Sequence, residues 1–174
     1  AARHCNPLTL MPGNRQIEEE VNRLIGLGRP FHVGYLDIDC FKPYNDHYGY
    51  AQGDRVLLEL AELVKQSCYP RVDFAGHIGG DDFIVILRSP GWQHRLRRLV
   101  DNFDAAVRRS YSDEHLVTGR LPGCDRDGQA REFPLMTLSA AVIEVVPVRG
   151  TDVTTVSAEQ REMKSVAKAR TRHV

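Results

Sequence analysis

At 174 residues, with 42% apolar and 26% charged side chains, the chain has the length and composition of one ordinary globular domain with a real core. Its 23 basic residues are matched by 23 acidic ones, which argues against a nucleic-acid or anionic-membrane binder, since those carry a basic bias. No apolar run is long enough to span a bilayer. Cys5, Cys40, Cys68 and Cys124 lie far apart without a Cys-x-x-Cys pair; they read as reduced thiols, and the domain is expected in the cytoplasm, whether or not its parent is membrane-attached. The sequence opens at Ala1-Ala2-Arg3 without methionine, and the expectation is a single domain over residues 1–174 excised from a longer multidomain protein.

Residues 1–13, with Pro7, Pro12 and Gly13, read as irregular. Asn14 can cap a helix to about Leu27, with Ile17, Val21, Leu24 and Ile25 on one face. Phe31 to Ile38 is apolar at nearly every position and reads as a strand buried on both faces. A short helical or irregular piece, Phe41 to Tyr48, precedes an amphipathic helix from about Ala51 to Cys68, striped by Val56, Leu57, Leu60, Ala61 and Val64. Two apolar runs, Val72 to Ile78 and Phe83 to Leu87, flank Gly79-Gly80 and predict a β-hairpin, because tight primed turns need positive φ. A second long helix is expected from about Trp92 to Ser110 and a Gly- and Asp-rich loop over 119–131. Leu135 to Val146 reads as a strand, hairpin-paired with a shorter one before it, and Ser157 opens a last helix to about Arg170. Helices and strands alternate around a central hairpin. That order predicts an α+β fold with a mixed, ferredoxin-like central sheet wrapped by helices, over a doubly wound parallel sheet.

Four carboxylates stand out: Asp37 and Asp39 at the end of the first strand, Asp81 and Asp82 at the hairpin tip. Aspartate is common at turns, but four converging on one sheet edge would repel one another without a compensating cation. Oxygen-only ligands select Mg²⁺, Mn²⁺ or Ca²⁺. Paired carboxylates on adjacent strands suit metal-assisted phosphoryl or nucleotidyl transfer. Lys42 lies just after the first pair, and Lys164, Lys168 and Arg172 share one face of the last helix if it extends that far. A Walker-type phosphate loop is absent.

Gly79-Gly80-Asp81-Asp82-Phe83 resembles the G-G-D/E-E-F signature of the GGDEF family, the diguanylate cyclase domains of bacteria. The family pattern D-x-D-x-F-K-x-x-N-D-x-x-G-H-x-x-G-D is met at Asp37, Asp39, Phe41, Lys42, Asn45, Asp46, Gly49, Gly53 and Asp54. Asn6 to Arg15 echoes the opening motif D-x-L-T-x-L-P-N-R, and Thr137-Leu138-Ser139-Ala140-Ala141 echoes T-x-S-x-G. The resemblance implies a cyclase-type palm and a reaction in which two molecules, as a homodimer, each present one GTP and form cyclic di-GMP and pyrophosphate. By position, Asp37 and Asp81 would bind Mg²⁺ or Mn²⁺ through side chains and Ile38 through its carbonyl. Asp82 would take the place of the acid that assists 3′-hydroxyl deprotonation, beside the metal. Asn45 and Asp54 would read guanine, with Leu57 lining its pocket. Cys40, Phe41, Lys42, Lys168 and Arg172 would hold phosphates.

The chain departs from the family at several of these positions. Asp82 replaces Glu and draws the carboxylate back by one methylene. His77 replaces an Arg, Tyr50 a His and Ala141 a Gly, while Arg161, Met163, Lys164 and Ser165 break the motif of the last helix. The product-inhibition motif R-x-x-D would fall at Pro70 and Asp73; only Asp73 is present, and no ordinary inhibitory site is expected. Pro12-Gly13-Asn14 and Gly76 to Phe83 are similar to GGDEF domains that neighbour EAL phosphodiesterase domains. Two readings are therefore open: an active, slowed diguanylate cyclase domain, or a GTP-binding regulatory module controlling another domain of the parent chain, such as an EAL phosphodiesterase. A different palm-type nucleotidyl cyclase suits Asn45 and Asp54 less well.

Overall fold

The structure, a computed structural model, describes residues 4–125, 127–148, 151, 152, 154 and 156. Helix α1 (Asn14–Gly26) leads into strand β1 (Phe31–Asp39), followed by helices α2 (Phe41–Tyr48) and α3 (Tyr50–Ser67). The hairpin is β2 (Phe74–Gly79) and β3 (Asp82–Leu87). Helix α4 (Trp92–Val107) continues as a 3₁₀ turn, and α5 (Asp113–Thr118), β4 (Arg120–Cys124), β5 (Ala130–Pro134) and β6 (Thr137–Val145) complete the order. The helix expected from Ser157 lies outside the described residues.

One sheet runs in the order β2-β3-β1-β6. Each of its three pairings is antiparallel, where a mixed sheet was expected. The helical crossovers explain the difference: each skips a strand, so strands running the same way are always separated by one running the other way, the split β-α-β arrangement. Strand β1 is central and buried almost throughout. Leu36, Ile38, Phe83, Val85, Leu87 and Leu138 face one core with α3 and α4, whereas Phe31, Val33, Tyr35, Ile84, Ile86 and Val145 face a second core with α1. This two-residue alternation places Asp37 on the α1 side, in line with Tyr35.

Three further expectations are corrected. Gly13, rather than Asn14, occupies the cap of α1; its N–H donates to Gln16 Oε1 (3.2 Å) and to the His4 carbonyl (2.9 Å). A Cβ there would lie 2.5 Å from that carbonyl oxygen, so the close return of the N-terminal loop calls for glycine. Strand β6 pairs with β1, not with the short strand before it. That strand, β5, pairs with β4 in a separate ribbon, and β4 falls where only the loop over 119–131 was expected; Pro122 and Gly123 disguise β4 because neither favours a strand. Helix α5, a stretch for which the sequence carried no apolar stripe and no expectation, buries no residue.

Candidate metal and nucleotide site

The register of β1 against β3 makes Asp37 and Asp82 direct cross-strand partners, and Asp81 sits in the turn beside them. The three offer carboxylate oxygens that all lie within 4.8 Å of one another. Asp37 is only 3% exposed. Like charges so close, one of them buried, are costly unless a cation or a proton offsets them. The donor set is all oxygen, and Mg²⁺ or Mn²⁺ bound by a few carboxylates with phosphate oxygens completing the shell fits it. The Ile38 side chain is buried in the core shared with α3 and α4, away from the carboxylates.

Asp39 does not join the cluster as expected. Its Oδ2 accepts from Thr137 Oγ1 at 3.0 Å and Ser139 Oγ at 2.5 Å, so the Thr-x-Ser motif of β6 holds it toward the far strand. Tyr35, not singled out by the sequence, takes a place near the site. Its phenol hydrogen-bonds the Asp82 carboxylate, and burial together with that carboxylate pushes its pKa well above the usual tyrosine range. It therefore acts as a standing donor to Asp82. Its only sequence signal was its place two residues before Asp37, on the same face of β1.

The turn itself needs both glycines: φ is 154° at Gly79 and 55° at Gly80. The register slips between His77 and Gly79, leaving Ile78 as an extra residue. His77 is 1% exposed and stacks on Phe83 with ring centroids 4.0 Å apart.

Beyond β1, Cys40 adopts a left-handed conformation (φ 58°) and starts α2. The first N–H groups of α2, at Phe41 and Lys42, lack partners within the helix, as at any helix start. The Lys42 ammonium is exposed and pairs with Asp46 at 2.5 Å. The Asn45 side chain crosses to α3: its Oδ1 is buried and has no hydrogen-bond partner among the described residues. Gly53 makes room for it, since a Cβ there would collide with Asn45 Oδ1. Asp54 is exposed, and Leu57 is 6% exposed. Thus Asp37, Asp81 and Asp82 come together, with Cys40, Phe41, Lys42 and Asn45 on the chain leaving β1 and Gly53, Asp54 and Leu57 on α3. Lys168 and Arg172 lie outside the described residues.

Asp73, the residual inhibitory-site position, has a different task. Its side chain is fully buried. It accepts from the backbone N–H groups of Tyr69, Arg88 and Ser89 and from Ser89 Oγ, and it pairs with Arg95 at 3.2 Å. Burial alone would raise its pKa; the Ser89 hydroxyl and the three N–H groups outweigh that and hold it below the usual carboxylate value.

The family described as "Diguanylate cyclase, GGDEF domain" matches residues 4–118. The chain belongs to the GGDEF family. Diguanylate cyclase A of Treponema denticola is 50% identical over 54 residues, covering 31% of this chain and 14% of that protein. Diguanylate cyclase DgcP of Pseudomonas aeruginosa is 35% identical over 107 residues, covering 59% and 16%. The chain spans well under half the length of the curated relatives it matches. Among solved structures, the GGDEF domain of DgcB from Caulobacter crescentus, in complex with c-di-GMP, aligns over 99% of this chain and 92% of that one (TM-score 0.66, 20% identity). Diguanylate cyclase SiaD from Pseudomonas aeruginosa, in complex with its activator SiaC, aligns over 97% and 59% (TM-score 0.69, 24% identity). At such identities these GGDEF structures establish the α+β fold. Among the described residues, no helix is long and apolar enough to cross a membrane.

Proposed function

We propose that this GGDEF domain is a diguanylate cyclase, condensing two GTP to cyclic di-GMP and pyrophosphate across a homodimer. The observation that carries the proposal is the direct cross-strand pairing of Asp37 and Asp82 beside Asp81. Asp37, Asp81 and Asp82, with the Ile38 carbonyl, would hold Mg²⁺ or Mn²⁺. A divalent ion in that place supplies charge for the α-phosphate and lowers the pKa of a bound hydroxyl. Asp82 stands to accept the 3′-hydroxyl proton, with Tyr35 donating to its other lone pairs and keeping it aimed. The N–H groups following Cys40, at Phe41 and Lys42, together with the Lys42 ammonium, face phosphate chemistry; Lys168 and Arg172 are assigned the same task by position. Asn45 reads the guanine edge: its buried, unpartnered Oδ1 is an acceptor waiting for a donor. Asp54 accepts beside it, and Leu57 closes the apolar side.

A second reading, a GTP-binding module that regulates another domain of the parent chain, is favoured by the departures from the family pattern: Asp82, one methylene shorter than the family's acid, with His77, Tyr50 and the altered motif of the last helix. Incubation with GTP and Mg²⁺ or Mn²⁺, followed by assay of cyclic di-GMP and pyrophosphate, separates them. Product supports the cyclase. Binding without product, in a dimerised version of the chain as well, supports the regulatory module. No metal-dependent GTP binding refutes both.

A further inference from the structure

We propose that His77 is a positioning residue that ties the Gly79-Gly80 turn to the N-terminal loop and so sets where Asp81 and Asp82 stand. The proposal rests on reading the carboxylates as a metal and GTP site. The space beside this turn is open where a side chain would stand: a Cβ at Gly79 or Gly80 would meet nothing within 4 Å, and Gly80 is exposed. Two adjacent glycines at positive φ have wide conformational freedom. A side chain reaches the turn's backbone: His77 Nε2 bonds to the Gly80 carbonyl at 2.8 Å. A carbonyl only accepts, so Nε2 carries the proton and Nδ1 is the acceptor. Nδ1 then accepts a hydrogen bond from Thr9 Oγ1, 3.0 Å away.

The other end of this link is held as firmly. Thr9 is 5% exposed. Its N–H and that of Leu8 both donate to Asn6 Oδ1, at 3.1 and 2.9 Å. The His77 N–H donates to the Pro12 carbonyl at 2.8 Å, and the ring lies nearly parallel to Phe83, tilted by 8°. Asn6 and His77 are both positions where the chain departs from the family pattern, one replacing an acid and the other a base. The structure joins them in one neutral chain, Asn6–Thr9–His77–Gly80. The imidazole thus fixes a turn that its own residues leave loose.

His77→Phe keeps the stacking partner and removes both ring nitrogens; His77→Gln keeps a donor at the position of Nε2. We would measure amide hydrogen exchange at Gly80, Asp81 and Asp82, thermal stability, and affinity for GTP with Mg²⁺. In His77→Phe the turn amides should exchange about tenfold faster, while those of α3 are unchanged, and affinity should fall about tenfold, because small misplacements of binding groups are expensive. His77→Gln should restore affinity to within about threefold of the parent. Should His77→Phe not fold, Thr9→Val breaks the same chain from the other end and should move the turn amides in the same direction. Unchanged turn exchange in a folded His77→Phe or Thr9→Val variant overturns the proposal. Wild-type protein that binds no GTP overturns the reading of the site instead, and turn exchange then still judges the role of His77.

Discussion

Replacing Gly53 with alanine sets two effects against each other. Gly53 is the fourth residue of an 18-residue helix, and glycine inside a helix costs about 1 kcal/mol relative to alanine. By propensity alone the variant should be more stable. The new methyl group, however, would occupy the place of the Asn45 amide. Asn45 must swing away, and the overlap consumes much of the propensity gain, so stability should change by less than about 1 kcal/mol, or about 2–4 °C in a domain of this size. Binding should suffer far more. If Asn45 Oδ1 accepts from guanine, its displacement leaves a buried hydrogen bond unmade, worth about 1–3 kcal/mol. That corresponds to about 5- to 150-fold in Kd. Calorimetric titration with GTP and Mg²⁺, beside thermal unfolding of the same preparations, gives both numbers. Unchanged GTP affinity with a raised melting temperature would refute the reasoning, showing that Gly53 shapes no ligand site.

Asp37→Asn should abolish the stabilisation of the protein by Mg²⁺ with GTP, yet raise the metal-free melting temperature by about 2 °C or more, because it relieves crowding among three carboxylates; a drop in metal-free stability would contradict that account. Asp82→Glu should speed formation of cyclic di-GMP by about tenfold or more, the longer acid reaching the proton it must accept. A slower variant would show that Tyr35 and the shorter acid are matched to each other. Asp73→Asn should cost about 3 kcal/mol in urea denaturation at pH 7, since Arg95 loses its buried partner. The folded pKa of Asp73 lies below its unfolded value, so its contribution is full above about pH 4 and fades as pH falls through the folded pKa. The gap between the two proteins should therefore narrow in acid; a gap constant to pH 2 would argue that packing, not charge, explains it.

Elements whose signal is local were legible from the residues alone. The stripe of α3, the continuous apolar run of β1 and the Gly-Gly turn each depend on neighbours within a few residues, and each formed where its pattern placed it. The spacing from Asp37 to Phe83 was likewise enough to identify the family that the comparisons confirm. The rest depended on partners distant in the chain. Asp39 looked like Asp37 until hydroxyls 98 and 100 residues away took its oxygen. Asp73 resembled a relic of a ligand site until Ser89 and Arg95 closed around it. His77 read as a lost arginine until Thr9, 68 residues earlier, met its ring. A strand's periodicity specifies which face a side chain takes, but not which chain lies opposite. That choice belongs to the folded register, and in this domain it gathers Asp37, Asp81 and Asp82 into one cluster while Asp39 and Asp73 turn to partners elsewhere in the fold.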